Sequence, residues 1–195
     1  ERIDLDDYPP FAEQHQKFNP IEITRGCIYA CGFCQTPFVF KARFRHRSVE
    51  RICHYVKVMK DHGRADIRFI SPTSLSYGSV DSSIRLDKLE ELLGSVRSIL
   101  GRKGRIFFGT FPSEIRPEHV TREVLLLLKR YVDNDNLIIG GQSGSQRVLD
   151  LCHRGHTVGD IVSAVRISLE VGFLPNVDFI FGLPNERRSD IAASL

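Results

Sequence analysis

No stretch of this 195-residue chain is apolar for long enough to span a bilayer as a helix, which excludes a membrane anchor of that kind within it. The acidic, proline-containing start ERIDLDDYPP lacks the basic and apolar regions of a secretory signal. Nothing repeats at a fixed period and no segment is of low complexity, so repeat architectures are excluded as well. Cysteine is scarce and odd in number: Cys27, Cys31, Cys34, Cys53 and Cys152 cannot all pair, which argues against a secreted disulfide framework and for a reducing, cytoplasmic setting. Excess charge is scarce too. A formal net charge of +3 does not by itself demand a nucleic-acid partner, although KARFRHRSVER (41–51) gathers Lys41, Arg43, Arg45, Arg47 and Arg51.

What is present is a 42% hydrophobic composition in a length that suits one sizeable core and one domain. Residues 1–20, with Pro9, Pro10 and Pro20 and no periodicity, read as an extended lead-in from an upstream domain, and residues 21–195 as the folded core. Glu1 is not an initiator methionine, and the final NERRSDIAASL reads as the start of a helix. The expectation is a piece of a longer protein.

From residue 21, short β-branched runs alternate with amphipathic stretches, the pattern of βα units around a parallel sheet. Five strands are expected, at 21–24, 66–71, 105–110, 136–141 and 176–182, with helices over 49–61, 86–100, 119–132, 146–152 and 158–171. In such sheets function gathers in the loops at the C-terminal strand ends. Those loops carry the three close cysteines after strand one, SPTSLSYG (71–78) after strand two, FPSE (111–114) after strand three, QSGS (142–145) after strand four and LPNE (183–186) after strand five.

Three residues separate Cys27 from Cys31 and two separate Cys31 from Cys34. A structural zinc site closes a tetrahedron with four protein ligands, commonly as two close pairs, so this trio would have to recruit His15 or His46. A redox dithiol needs only two cysteines. An iron-sulfur cluster held by three thiolates keeps one iron open for an outside ligand, and Gly26 and Gly32 would let the backbone pass close to it.

The trio, with Phe33 immediately before its last cysteine, resembles the signature of the radical S-adenosylmethionine (radical SAM) enzymes. TRGC and CQTPFVFKARFRHRSVERI are similar to the cluster loop and following helix of the methylthiotransferase branch and of cobalamin-linked radical SAM proteins. QSGSQRVLDLCHRGHT (142–157) and VDFIFGLPNE (177–186) are similar to those groups' fourth- and fifth-strand segments. The resemblance implies an α/β fold, a partial parallel (β/α) barrel of the radical SAM type, here truncated after about the fifth βα unit. It implies a 4Fe-4S cluster on Cys27, Cys31 and Cys34 whose open iron chelates S-adenosylmethionine, reductive cleavage to a 5'-deoxyadenosyl radical, and overall methyl or methylthio transfer. It also implies a one-electron reductant of the ferredoxin or flavodoxin type, a substrate that is either RNA or a small molecule, and an upstream domain holding cobalamin or a second cluster.

Carried over by position, Phe33 and Ile180 would lie against the adenine. Ser71 would stand near the methionyl amine, although the glycines usual there are absent. Ser113 or Glu114, with Gln142 and Ser143, would meet the ribose or amino-acid part, and Arg154 would pair with the carboxylate, where a guanidinium fork matches the geometry. Plainer roles are open to the same residues: Gln142 and Ser143 as helix caps, Arg154 as a helix-end residue, Cys53 and Cys152 as small core residues, His153 and His156 as loop residues. A different class also stands, a non-catalytic zinc module that binds RNA through Lys41, Arg43, Arg45 and Arg47.

Overall fold

A computed structural model describes residues 3–195; the first two residues of the expected lead-in lie outside the described part. Along the chain run β1 (Ile21–Glu22), β2 (Thr24–Arg25), α1 (Thr36–Val39), β3 (Arg45–His46), α2 (Val49–Asp61), β4 (Asp66–Ile70), α3 (Leu86–Leu100) and β5 (Arg105–Phe107). They are followed by α4 (Arg122–Lys129), β6 (Asn136–Gln142), α5 (Gln146–Leu151), α6 (Val158–Val171), β7 (Leu174–Phe179) and α7 (Arg188–Ser194). Among the described residues no helix is long and apolar enough to cross a membrane.

The long helices form where capping and periodicity coincide. Ser48 caps α2 by accepting the amide of Arg51 at 3.1 Å, and Ile52, Tyr55, Val56 and Met59 then fall on one buried stripe. Thr157 and Asp160 form a capping box at the start of α6, and Gly172, at φ 85°, turns the chain out of it. The helix expected over 119–132 is shorter. Pro117–His119 makes a separate 3-10 turn, and Thr121 caps a fresh start by accepting the amide of Val124.

β1, β4 and β5 pair in parallel, with Ile21 opposite Phe69 and Asp66 opposite Arg105, and β6 pairs in parallel with β7. The two groups meet through an irregular segment. Ile115 bridges Ile139 in parallel, and the amide of Ile138 donates to the carbonyl of Gly109 at 2.9 Å. Neighbours thus follow chain order, as in an opening barrel, and the core fills the space between this sheet and α2, α3, α4 and α6. The first expected strand, 21–24, is split. After Ile23 the chain turns away, so that Thr24 and Arg25 pair antiparallel with His46 and Arg45. This two-residue ribbon closes the base of the segment that carries the cysteines.

The lead-in is more than an extended strap. It makes short 3-10 turns at Leu5–Asp7 and Glu13–His15, buries Leu5, and sets Phe11 edge-on to Phe18 and Tyr55. Arg47 fastens it, donating to the carbonyls of Leu5 (2.5 Å), Tyr8 (2.9 Å) and Glu22 (2.9 Å). This corrects the reading of 41–51 as a basic surface for RNA. Arg47 is 1% exposed and its donors are used inside the protein, while Arg45 donates to the carbonyl of Phe40. Lys41 and Arg43 stay exposed. Cys53, expected in the core, is only half-buried.

Replacing Arg47 with alanine would leave three carbonyls short of a donor, two of them in the lead-in. We expect Arg47→Ala to lose roughly 3 kcal/mol in denaturant unfolding and to expose residues 3–11 to limited proteolysis. Unchanged stability together with an uncut lead-in would show that the fastening is not used.

Candidate functional site

The cysteines occupy the loop from β2 to α1, and that loop is held at both ends. At its start Gly26 has φ +83°, and a Cβ built there would stand 2.0 Å from the carbonyl oxygen of Arg43. At its far end the amide of Gly32 donates to the carbonyl of Cys152 at 2.7 Å, and that of Cys34 to Cys31 at 2.9 Å. The two glycines therefore differ in kind. Gly26 is required by φ and by the close approach of the segment leading into β3, whereas a Cβ on Gly32 would meet Cys152 at an ordinary 3.6 Å.

Cys31 points inward and is buried, with Cys27 and Cys34 half-buried beside it. Two guanidinium groups face its sulfur: Arg154 Nη1 at 3.5 Å and Arg116 Nη1 at 3.8 Å. Arg154 also donates to the carbonyl of Gly140 at 2.7 Å and lies 3.6 Å from Glu114. Arg116 pairs with Glu118, donates to the carbonyl of Arg154, and sits 3.7 Å over the ring of Tyr29, whose hydroxyl meets His119 Nε2 at 2.8 Å. His156 approaches Gly141 O with one ring nitrogen and Glu118 with the other.

The electrostatics follow from this burial. Burial pushes the Cys27 thiol up, with neighbouring Cys31 and Cys34 adding to the shift and the Tyr29 amide and Arg116 opposing it. Burial likewise raises the Glu114 carboxyl against the pull of Arg154. His156 is pushed down to about 4 by burial and by repulsion from Arg154, so it is neutral at pH 7.

The rim residues fall into two groups. Ser71, Ser113 and Glu114 line a cleft of about 330 Å³ with Phe111 and Asp178, over the C-terminal strand ends. Within it Ser113 Oγ donates to the carbonyl of Phe69 and accepts from the amide of Ser71, and Ser71 Oγ donates to the carbonyl of Thr73. The Ser113 proton thus ties the segment after β5 to β4, and the Ser71 proton holds the local turn that follows β4. Gln142, at φ 70°, donates to Glu114 at 3.2 Å, so a chain of contacts runs Gln142, Glu114, Arg154, Cys31. Ser143 is buried and accepts from the amide of Ser145, while Ser145 itself holds the N-cap position of α5, so Ser143 steadies the turn rather than capping the helix. Phe33 and Ile180 come together elsewhere, on an apolar patch with Val148, Cys152 and Leu183. A larger cleft, about 710 Å³, opens at the opposite strand ends beside Lys17, Arg64 and Arg68, away from the cysteines.

Sequence reasoning missed Tyr29, Arg116, Glu118 and His119. The usable signal was an arginine and an acid two residues apart, IRPE, at the rim just after FPSE.

Among the described residues no three His, Cys, Asp or Glu side chains stand close enough to hold a metal ion as they are placed. The donor set nevertheless fits a thiolate-bound, anionic cluster. The three thiols are within electrostatic reach of one another, two buried cations face one of them, and Arg154 Nε is buried without a partner. It fits zinc less well. Both ring nitrogens of His46 are engaged, by Thr24 at 3.0 Å and the carbonyl of Ser79 at 2.7 Å, and His15 belongs to the lead-in.

Comparison with known proteins agrees. The family model for the radical SAM superfamily matches residues 21–195. The chain is 30% identical over 179 residues to the tRNA-2-methylthio-N(6)-dimethylallyladenosine synthase of Moorella thermoacetica, covering 90% of this chain and 38% of that one. It is 28% identical over 195 residues to the ribosomal protein uS12 methylthiotransferase of a Thermotoga species, strain RQ2, covering 97% of this chain and 41% of that one. It thus spans about two fifths of the length of these relatives. In fold it is similar to the radical S-adenosylmethionine methyltransferase TsrM of Kitasatospora setae, solved with cobalamin and a 4Fe-4S cluster. The TM-score is 0.70 to 0.71 at 18% identity, over 91% of this chain and 33% of that one for the cobalamin-bound structure. That likeness shows the fold. The zinc module finds no support in any of these matches.

Gly26→Ala should cost about 2 kcal/mol or more, since it joins backbone strain to a clash with a carbonyl, while Gly32→Ala should cost less than about 1 kcal/mol. Urea unfolding of the two metal-free variants measures both, and equal losses would refute the distinction.

Proposed function

Because the chain belongs to the radical SAM superfamily, whose cofactors are a 4Fe-4S cluster and S-adenosylmethionine, we propose that Cys27, Cys31 and Cys34 are the iron ligands and that the whole protein transfers a methylthio group. The observation that carries the reading is the three-cysteine loop clamped at both ends above Arg116 and Arg154. When bound, the cluster supplies the electron that cleaves S-adenosylmethionine to a 5'-deoxyadenosyl radical.

The chain's own residues bind and shield. Arg154, whose Nε has no partner, orients the cofactor carboxylate from below. Phe33 and Ile180 form an apolar wall for the adenine and keep water from it. Glu114 lines the cleft and, held by Gln142, orients the polar part of the cofactor, and Ser71 and Ser113 fix the strand ends that frame it. Methylthio transfer is favoured over cobalamin-linked methyl transfer because the matches at 28% to 30% identity are to proteins named as methylthio-transferring, whereas the likeness to TsrM is one of fold. RNA is the favoured substrate class because the Moorella thermoacetica relative is named for a modified tRNA nucleoside, while the Thermotoga relative is named for a ribosomal protein; a one-electron donor is the expected partner.

Anaerobic reconstitution followed by iron and sulfide assay tests the ligands. Cys27→Ala, Cys31→Ala and Cys34→Ala should each lose the cluster. Cys53→Ala and Cys152→Ala should keep it and cost only on the order of 1 to 2 kcal/mol of stability. Full iron in Cys31→Ala would sink the assignment. Arg154→Lys should keep iron but bind S-adenosylmethionine at least about tenfold more weakly by calorimetry, since lysine lacks the fork. Unchanged affinity would return Arg154 to a purely structural role.

A further inference from the structure

We infer that Arg116 is a positioning residue for the proposed cluster, presenting a fixed positive charge to Cys31 that makes one-electron reduction of the cluster easier. This rests on the reading of Cys31 as an iron ligand. The IRPE pattern places Arg116 at the rim, but only the fold brings it to Cys31, 85 residues away along the chain.

Each nitrogen of its guanidinium has a neighbour, and so does one face. Nη1 faces the Cys31 sulfur at 3.8 Å, the Tyr29 ring covers one face at 3.7 Å, Nε pairs with Glu118, and Nη2 donates to the carbonyl of Arg154. Arg116 is 1% exposed, so neither rotation nor solvent weakens its field at the sulfur. Its Nη1 is too far for a short, strong hydrogen bond, and its influence on Cys31 is chiefly that of a nearby charge. Glu118 raises the basicity of Arg116 further against the cost of burial, which keeps the cation charged.

The redox consequence follows from charge alone. One electron arrives from an external one-electron donor, no bond forms or breaks, no proton moves, and the reduced cluster carries one more negative charge than the oxidised one. A fixed cation beside a ligand sulfur stabilises the reduced form. The other charged groups facing this point are Glu118, which opposes Arg116, and Arg154 with its neighbour Glu114. Because Glu118 opposes, neutralising it must act in the opposite direction to neutralising Arg116.

That opposition supplies the test. The whole chain is reconstituted anaerobically as wild type, Arg116→Gln, Arg116→Lys and Glu118→Gln. Iron and sulfide are assayed, and the midpoint potential is read by EPR during stepwise reduction with dithionite. The expected result is a lower potential in Arg116→Gln, a smaller fall in Arg116→Lys and a higher potential in Glu118→Gln, all at wild-type iron content. One potential shared by all four proteins overturns the inference, and so does a shift of the same sign in Arg116→Gln and Glu118→Gln. If Arg116→Gln holds no iron, the other two variants decide by the same signs. Absence of iron and sulfide in the wild type itself overturns the ligand reading, and the inference with it, before any potential is measured.

Discussion

Two guanidinium groups held almost wholly out of water beneath one sulfur govern the upper end of this molecule. A buried guanidinium is tolerated only where acceptors and opposite charge surround it. Arg154 takes the carbonyl of Gly140 and the neighbourhood of Glu114, so the end of β6 and the segment after β5 must close on the same point. Arg116 takes Glu118 and the carbonyl of Arg154, which ties that segment to the turn after α5, and Tyr29 of the cysteine loop covers what is left. Four separate stretches of chain are placed by satisfying two charges.

Arg47 meets the same requirement at a different point. Its three carbonyl partners bring the lead-in, the end of β1 and the start of α2 together. The lead-in is thereby part of the folded body, and Phe11 adds an apolar contact to the polar fastening. The fold uses three arginines at two points as internal ties, where surface charge alone would have suggested display.

The parts legible in sequence are those whose causes are local. α2, α3 and α6 begin and end where the periodic stripes do, and in α2 and α6 Ser48 and Thr157 mark the start. The cysteine loop announces itself because its three cysteines are neighbours in the chain. The ribbon of β2 with β3 was not legible, since two-residue strands carry no periodicity and exist through pairing alone. Arg47 was legible as a charge but not as buried, and Arg116 was legible as neither partner nor neighbour of Cys31, because both facts depend on contacts distant in sequence. Ser71 and Ser113 stand on the expected rim, yet their commitment to backbone groups could only be seen once β4 and β5 were side by side.

The ribbon of Thr24 and Arg25 with His46 and Arg45 brings the chain back to within one strand spacing of where it left the sheet. Everything between these pairs, the cysteine loop and α1 included, is a detour whose exit and entry points coincide. Lengthening such a closed detour costs little, since each doubling of loop length adds only about 0.6 kcal/mol of closure entropy. The segment after Cys34, where Phe38 and Val39 already face solvent, is therefore a place where descendants of this sequence can gain or lose residues while the strands on either side keep their register.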